Sequence, residues 1–110
     1  MTIEQYQIAA KQYDKSDGTP AYYAMGLAGE TGETVEIIKK STRKGIYEIP
    51  INKEKLTLEM GDVLWYLTQM AAYYDISMRD IMVSNLHKLE MRRLRMEAER
   101  EDFLVGQLAG

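Results

Sequence analysis

Hydrophobic positions along the chain recur at helical spacing and divide it into four amphipathic segments. The first segment follows Thr2, which together with Gln5 has the form of a capping box. No alternating pattern long enough for a strand competes with these segments. The sequence therefore predicts an all-α protein with helices at about 3–14, 20–42, 53–74 and from about 78 past residue 100.

Start signals support these boundaries. Thr19 before Pro20 is the expected N-cap and first-position pair of the second helix. Asn52 is suited to cap the third helix, and Ser77 precedes the fourth. Each predicted helix therefore begins at a residue whose side chain satisfies free backbone N–H groups.

The fourth segment is unusually charged near its end. From residue 86 to 102, ten of seventeen residues are charged, five acidic and five basic. Such a run is typical of a solvated helix face with side-chain pairs. We expect residues 93–110 to form a charged helical extension of a single domain spanning 1–110, frayed from about residue 106.

The composition limits the chemistry that the chain can perform. Its 110 residues are 45% hydrophobic and 28% charged, which is the balance of one globular domain. The chain has no cysteine and a single histidine, His87. Disulfides, thiolate nucleophiles, multi-histidine zinc sites and a Ser-His-Asp triad are therefore excluded or strongly disfavoured. Carboxylates, lysines and arginines must carry any chemistry.

Charge and hydropathy indicate the binding partners and the cell compartment to be expected for the protein. A net charge of −3 disfavours stable nucleic-acid binding through bulk positive charge. No apolar run approaches the roughly 18 residues of a membrane span, and the N-terminus has no secretory pattern. We expect a soluble cytoplasmic protein with no membrane partner.

Two pairs of acidic residues are the strongest candidates for a functional site. Glu30 and Glu33 lie three apart on the second helix, and Glu59 and Asp62 lie three apart on the third. The members of each pair share one helix face about 4.5 Å apart along the axis. Both pairs fall on stripes that otherwise have a core pattern, and an antiparallel hairpin would bring them to similar height. Four oxygen ligands without histidine or cysteine suit Mg²⁺, with Mn²⁺ as a substitute.

Cationic and amide side chains could bind phosphate beside such a metal site. Asn85, Lys88 and Arg92 share one stripe of the fourth helix, and Lys40 falls near the Glu33 side of the second helix. These groups suit metal-bound phosphate oxygens. Taken singly, each cation also fits a surface residue that packs its stem on apolar neighbours.

The pattern leaves the role of two further groups open. Gly26, Gly29 and Gly32 recur inside the second helix, where each costs roughly 1 kcal/mol relative to alanine. Either close helix packing or room for a ligand would compensate for this cost in helix stability. Trp65 and the eight tyrosines include candidates for stacking on a base, although helical spacing of aromatic residues favours core positions.

Three motifs together resemble the MazG-like nucleotide pyrophosphohydrolases of the all-α NTP pyrophosphatase superfamily. They are GLAGETGE at 26–33, LEMGDVLWYL at 58–67 and NLHKL at 85–89, followed by Arg92. The resemblance covers about residues 3–92. It implies a four-helix bundle completed by homodimerisation or by a dimer of dimers. It also implies hydrolysis of a nucleoside triphosphate between the α and β phosphates.

The resemblance assigns roles to the candidate residues. Glu30, Glu33, Glu59 and Asp62 become the Mg²⁺ ligands, while Asn85 and Lys88 contact phosphate or orient the site. Lys40 and Arg92 complete the predicted substrate-binding set on the basis of their helix positions alone. The resemblance leaves open which of the four acids accepts a proton from water; Glu33 and Glu59 are the predicted catalytic residues, with Glu33 favoured as the base.

Two departures from the family pattern and several alternatives remain. Relatives often leave the fourth helix after the position of Arg92 with an aromatic-proline turn, whereas this chain continues as a helical pattern. Arg43 and Lys44, in the loop 43–52, either cover a substrate or face solvent. The alternatives are a phosphoribosyl-ATP pyrophosphohydrolase, a non-catalytic helical dimer with a structural cation, and a regulator that binds partners through residues 93–110.

Overall fold

The computed structural model describes residues 1–42 and 50–109, where the regular secondary structure is entirely helical and no strand occurs. Arg43 and Lys44 lie outside the described residues. The all-α prediction is confirmed. The helices are α1 (Ile3–Lys11), α2 (Pro20–Thr42), α3 (Lys53–Tyr73) and α4 (Met78–Ala109).

Side-chain caps begin the first three helices as the sequence predicts. The Thr2 and Gln5 side chains each bond the other residue's backbone N–H, at 3.1 and 2.8 Å, which closes the capping box. The Thr19 hydroxyl accepts the N–H of Tyr22 at 3.3 Å. Asn52 Oδ1 accepts the N–H of Lys55 at 3.1 Å. These bonds satisfy N–H groups that have no partner within the helix.

Two helix ends differ from the prediction. α1 ends at Lys11 rather than near residue 14, because Asp14 Oδ1 accepts the backbone N–H of Ser16 at 3.1 Å and its hydroxyl at 2.6 Å. Such local bonds offer the backbone an alternative to the helix. α4 continues to Ala109 instead of fraying at Gly106. One glycine costs only about 1 kcal/mol in a helix, which is too little to end it.

The described chain forms two compact units, Met1–Met78 and Arg79–Gly110. In the first unit, α2 and α3 pack as an antiparallel hairpin. Gly26 near the start of α2 lies against the Tyr66 ring in the second half of α3, and a Cβ at Gly26 would overlap that ring. Close packing therefore explains Gly26, whereas a Cβ at Gly29 or Gly32 would meet open space.

A hydrogen bond from an indole joins the short helix α1 to α3. The Trp65 indole N–H donates to the Ala10 carbonyl at 3.0 Å, and Ala10 is itself buried. The most deeply buried side chains of the described residues are Tyr23, Thr68 and Gln69. The interior of this unit thus mixes aromatic and polar groups.

The second unit consists of α4 from Arg79 onward, and every described residue from Met82 to Ala109 is exposed. Arg93 pairs with Glu90 and Glu97 of the same helix at 2.5 Å each. These pairs are exposed, so they add little stability. None of the described helices has both the length and the apolar character needed to cross a membrane.

Candidate metal centre

Three of the four predicted acidic residues come together on facing helices. Glu30 and Glu33 extend from adjacent turns of α2, and Glu59 extends from α3. One carboxylate oxygen from each of the three lies within 4.8 Å of the others. The antiparallel hairpin brings the two pairs to similar height, as the sequence predicts. We call Glu30, Glu33 and Glu59 the acidic cluster.

Two oxygens of the acidic cluster are buried without a partner. Glu30 Oε2 and Glu59 Oε2 are shielded from solvent and accept no hydrogen bond. Burial, followed by the negative charges of Glu33, Asp62 and Glu59, raises the pKa of Glu30 to about 7. Buried anionic oxygens are costly unless a proton or a cation compensates their charge.

Asp62 occupies a different position from the other three acids. Its side chain is exposed, and it borders a pocket together with Glu30. Its charge still contributes to the raised pKa of Glu30. Asp62 therefore acts electrostatically on the acidic cluster from the side of this pocket.

A groove of about 370 Å³ extends from the acidic cluster toward the loop end of the hairpin. Glu33 and Glu59 border the groove at the cluster, and Lys40 and Lys55 line it as well. Lys40 thus lies on the predicted side of α2. Lys55 is a residue that the sequence analysis missed, although its spacing of one helical turn before Glu59 is a signal that could have revealed it.

A second pocket of about 370 Å³ opens at Glu30 and Asp62 and has aromatic walls. Its aromatic residues are Tyr13, Tyr22, Trp65 and Tyr66. These rings line a cavity, whereas the helical spacing favoured core positions for such residues. We call this cavity the aromatic pocket.

The rings of the aromatic pocket contact one another, and the Tyr66 phenol is held neutral. Tyr22 and Tyr66 have ring centroids 6.0 Å apart, and Trp65 meets Tyr66 edge to face at 5.0 Å. Hydrogen bonding with Tyr22 and burial raise the pKa of Tyr66 to about 12. The pocket therefore offers uncharged π faces beside the carboxylates.

The remaining predicted residues belong to the second unit. Asn85, Lys88 and Arg92 are exposed on α4, as is His87. Their role at the acidic cluster stays a prediction.

The described fold and site define an all-α protein with a carboxylate cluster suited to a divalent cation. Residues 19–95 match the family model of the MazG nucleotide pyrophosphohydrolase domain. The chain therefore belongs to this family, as the three sequence motifs indicated. It is also 35% identical over 103 residues to the Gene 37 protein of Mycobacterium phage L5, an alignment that covers 84% of this chain and 90% of the relative. No solved structure matches the chain significantly.

Proposed function

We propose that the protein is a Mg²⁺-dependent nucleoside triphosphate pyrophosphohydrolase. It cleaves the anhydride between the α and β phosphates to give a nucleoside monophosphate and pyrophosphate. The observation that carries this proposal is the pair of buried, unpartnered oxygens of Glu30 and Glu59 inside the acidic cluster. Membership of the MazG family supports the reaction class.

The donor set of the acidic cluster fits a hard divalent cation. Three carboxylates within 4.8 Å of one another repel each other, and two of their oxygens lack any donor. Mg²⁺ prefers oxygen ligands, and Mn²⁺ is a chemically similar substitute. Glu30, Glu33 and Glu59 are the proposed ligands, and Asp62 joins them from the side of the aromatic pocket.

Bound Mg²⁺ would neutralise phosphate charge and lower the pKa of a coordinated water. The chain supplies the proton acceptor and the positioning groups. Hydrolysis adds one water across the α–β anhydride, so the hydroxyl stays on phosphorus and the proton needs an acceptor. Glu33 is the proposed base because it is the exposed member of the acidic cluster and borders the lysine-lined groove. Glu59, half-buried at the same border, orients the reacting groups.

The two cavities beside the acidic cluster suit the two ends of a nucleotide. Lys40 and Lys55 in the groove match the negative charge of a phosphate chain. The aromatic rings of Tyr22 and Tyr66 suit stacking on a base. Asn85, Lys88 and Arg92 are proposed as further phosphate contacts, on the family motif alone.

The test is release of pyrophosphate from a panel of ribo- and deoxynucleoside triphosphates and phosphoribosyl-ATP. Wild-type protein is compared with Glu59→Gln, which keeps the shape of the side chain and removes its charge. Glu54→Gln, also on α3 but outside both cavities, is the matched control. We expect Mg²⁺-dependent release that falls by about 100-fold or more in Glu59→Gln and stays near wild type in Glu54→Gln.

Each of the other possible results of this assay supports one of the alternative functions. Turnover of phosphoribosyl-ATP alone would replace the substrate and keep the reaction. If nothing is hydrolysed while Mg²⁺ still raises the melting temperature, the acidic cluster holds a structural cation and the enzymatic proposal is wrong.

A further inference from the structure

The aromatic pocket includes a residue from outside the α2–α3 hairpin. Tyr22 belongs to α2, and Trp65 and Tyr66 belong to α3, whereas Tyr13 lies just after the end of α1. The Tyr13 side chain borders the pocket and is nevertheless 72% exposed. An aromatic ring that is open to solvent at the edge of a cavity gains buried area when a flat ligand stacks on it.

The backbone before Tyr13 is anchored to a neighbouring wall of the same pocket. The Ala10 carbonyl accepts the Tyr13 N–H at 3.2 Å and the Trp65 indole N–H at 3.0 Å. Ala10 is itself buried. This carbonyl oxygen therefore ties the turn that carries Tyr13 to a ring of the pocket.

The residue after Tyr13 anchors the same turn to α2. Only 4% of the Asp14 side chain is exposed, and it accepts hydrogen bonds from the Tyr23 hydroxyl and from Ser16. Tyr23 is buried and follows Tyr22 directly, and the two rings meet edge to face at 5.7 Å. Asp14 therefore joins the turn to the part of α2 that contributes Tyr22 to the pocket.

Tyr13 thus lies between two buried anchors, Ala10 and Asp14, while its own ring is exposed at the pocket. Anchors on both sides reduce the number of conformations that the turn can adopt. Less conformational entropy is then lost when a ligand binds against the ring.

We propose that Tyr13 stacks on the base of a bound nucleotide at the open side of the aromatic pocket, and that Asp14 is the positioning residue that holds it there. The inference rests on the proposed nucleotide substrate. Both residues lie before residue 19, where the family match begins, and outside the three family motifs. The contact is therefore assigned from the geometry of this chain.

Binding of nucleotide analogues tests the proposal without hydrolysis. The probes are the α,β-methylene analogues of the common ribo- and deoxynucleoside triphosphates, and inorganic triphosphate serves as a ligand that has no base. Isothermal titration calorimetry in the presence of Mg²⁺ gives each dissociation constant. Trp65 is the single tryptophan of the chain and lines the pocket, so its fluorescence reports whether a base enters.

Replacement of the Tyr13 ring tests the stacking contact. We expect Tyr13→Ala to weaken binding of the tightest nucleotide analogue about 10-fold, because a stacked ring is lost. Tyr13→Phe should recover most of this loss. Tyr74→Ala is the matched control, because Tyr74 is 58% exposed and lies outside the aromatic pocket. Binding of inorganic triphosphate should be the same in all three variants.

Tyr23→Phe tests the positioning role of Asp14, because it removes the hydroxyl donor and keeps the buried ring. We expect the same analogue to bind about 5-fold more weakly, since one anchoring hydrogen bond of the turn is lost. Inorganic triphosphate should bind as it does to the wild type. Equal weakening of both ligands, with the helices intact by circular dichroism, would indicate a purely structural role and overturn the positioning role.

The results for Tyr13 decide the proposal. Equal binding of the nucleotide analogues by Tyr13→Ala and Tyr74→Ala would overturn it, as would the absence of any analogue binding by the wild type. Pyrophosphate release is measured separately. Binding that depends on Tyr13 in a protein that hydrolyses no nucleotide would support this inference and refute the proposed function.

Discussion

The acidic residues of the α2–α3 hairpin and those of α4 carry the same carboxylate group, but they differ in burial and in the partners that they have. Glu30 and Glu59 have oxygens buried without a partner, and burial with neighbouring charge raises the pKa of Glu30 to about 7. On α4, Glu90 and Glu97 are about half exposed and pair with Arg93 of their own helix. Burial therefore separates a cluster whose negative charge needs compensation from ordinary surface pairing.

The largest expected effect concerns the packing that brings the hairpin together. Gly26→Ala should destabilise the fold by about 2–3 kcal/mol, because the added Cβ overlaps the Tyr66 ring. Gly29→Ala is the control: its Cβ meets open space, so we expect stabilisation by about 0.5–1 kcal/mol. Urea denaturation of both variants measures the difference. Equal effects would show that Gly26 does not set the helix approach.

The turn before α2 is expected to depend on one carboxylate. Burial raises the pKa of Asp14, but hydrogen bonds from Ser16, Tyr23 and Lys11 lower it further, to about 2. Because this is below the ordinary value of 3.8, Asp14 stabilises the fold fully above about pH 4. That contribution is lost as the pH falls toward 2.

Asp14→Asn should therefore cost about 2 kcal/mol at pH 7 and much less near pH 2. Urea denaturation across this pH range measures it. Asp17→Asn, at an exposed neighbour, is expected to change stability by less than about 0.5 kcal/mol. A cost that stays the same at pH 2 would contradict the role of the ionised carboxylate.

The sequence predicts features that depend on neighbouring residues better than contacts between residues that lie far apart in the chain. Helix starts were readable from Thr2, Thr19 and Asn52, because capping involves neighbours in the chain. The matched height of Glu33 and Glu59 followed from counting turns in a hairpin. The bond from Trp65 to Ala10 could not be foreseen, since it joins residues 55 positions apart.

The cavities show the same limit. Tyr22, Trp65 and Tyr66 have the spacing of core residues, and only the packed helices reveal that they line the aromatic pocket. Lys55 stands one turn before Glu59, but many surface lysines have such neighbours. The short Asp14 turn, which ends α1 early, competes with the helix through local bonds that helical periodicity does not register.

Removing charge from the acidic cluster should stabilise the metal-free protein. The pKa of Glu30, about 7 against an ordinary 4.5, means that its ionised form disfavours folding, most strongly above pH 7. In a chelator at pH 8, Glu30→Gln should add about 1 kcal/mol, and the gain should shrink toward pH 5.

Thermal denaturation with a chelator and with Mg²⁺ checks this expectation. Glu30→Gln should also lose most of the rise in melting temperature that Mg²⁺ gives the wild type. Glu54→Gln, on the surface of α3, should behave like the wild type in both conditions. Destabilisation by Glu30→Gln in the chelator at pH 8 would contradict the buried-charge account.

The smallest effect is expected on α4. Arg93→Ala removes two exposed ion pairs and should leave the stability of the fold nearly unchanged. Urea denaturation of the variant and the wild type measures this. A loss of stability as large as that expected for Asp14→Asn would contradict the conclusion that exposed ion pairs contribute less to stability than buried charged groups.

Anomalous diffraction from crystals soaked in Mn²⁺ tests the central claim most directly. The account predicts a manganese peak within about 2–2.5 Å of carboxylate oxygens of Glu30, Glu33 and Glu59. The same peak should be absent in crystals of Glu30→Gln. Bound manganese elsewhere on the chain, with none between these three carboxylates, would contradict the account.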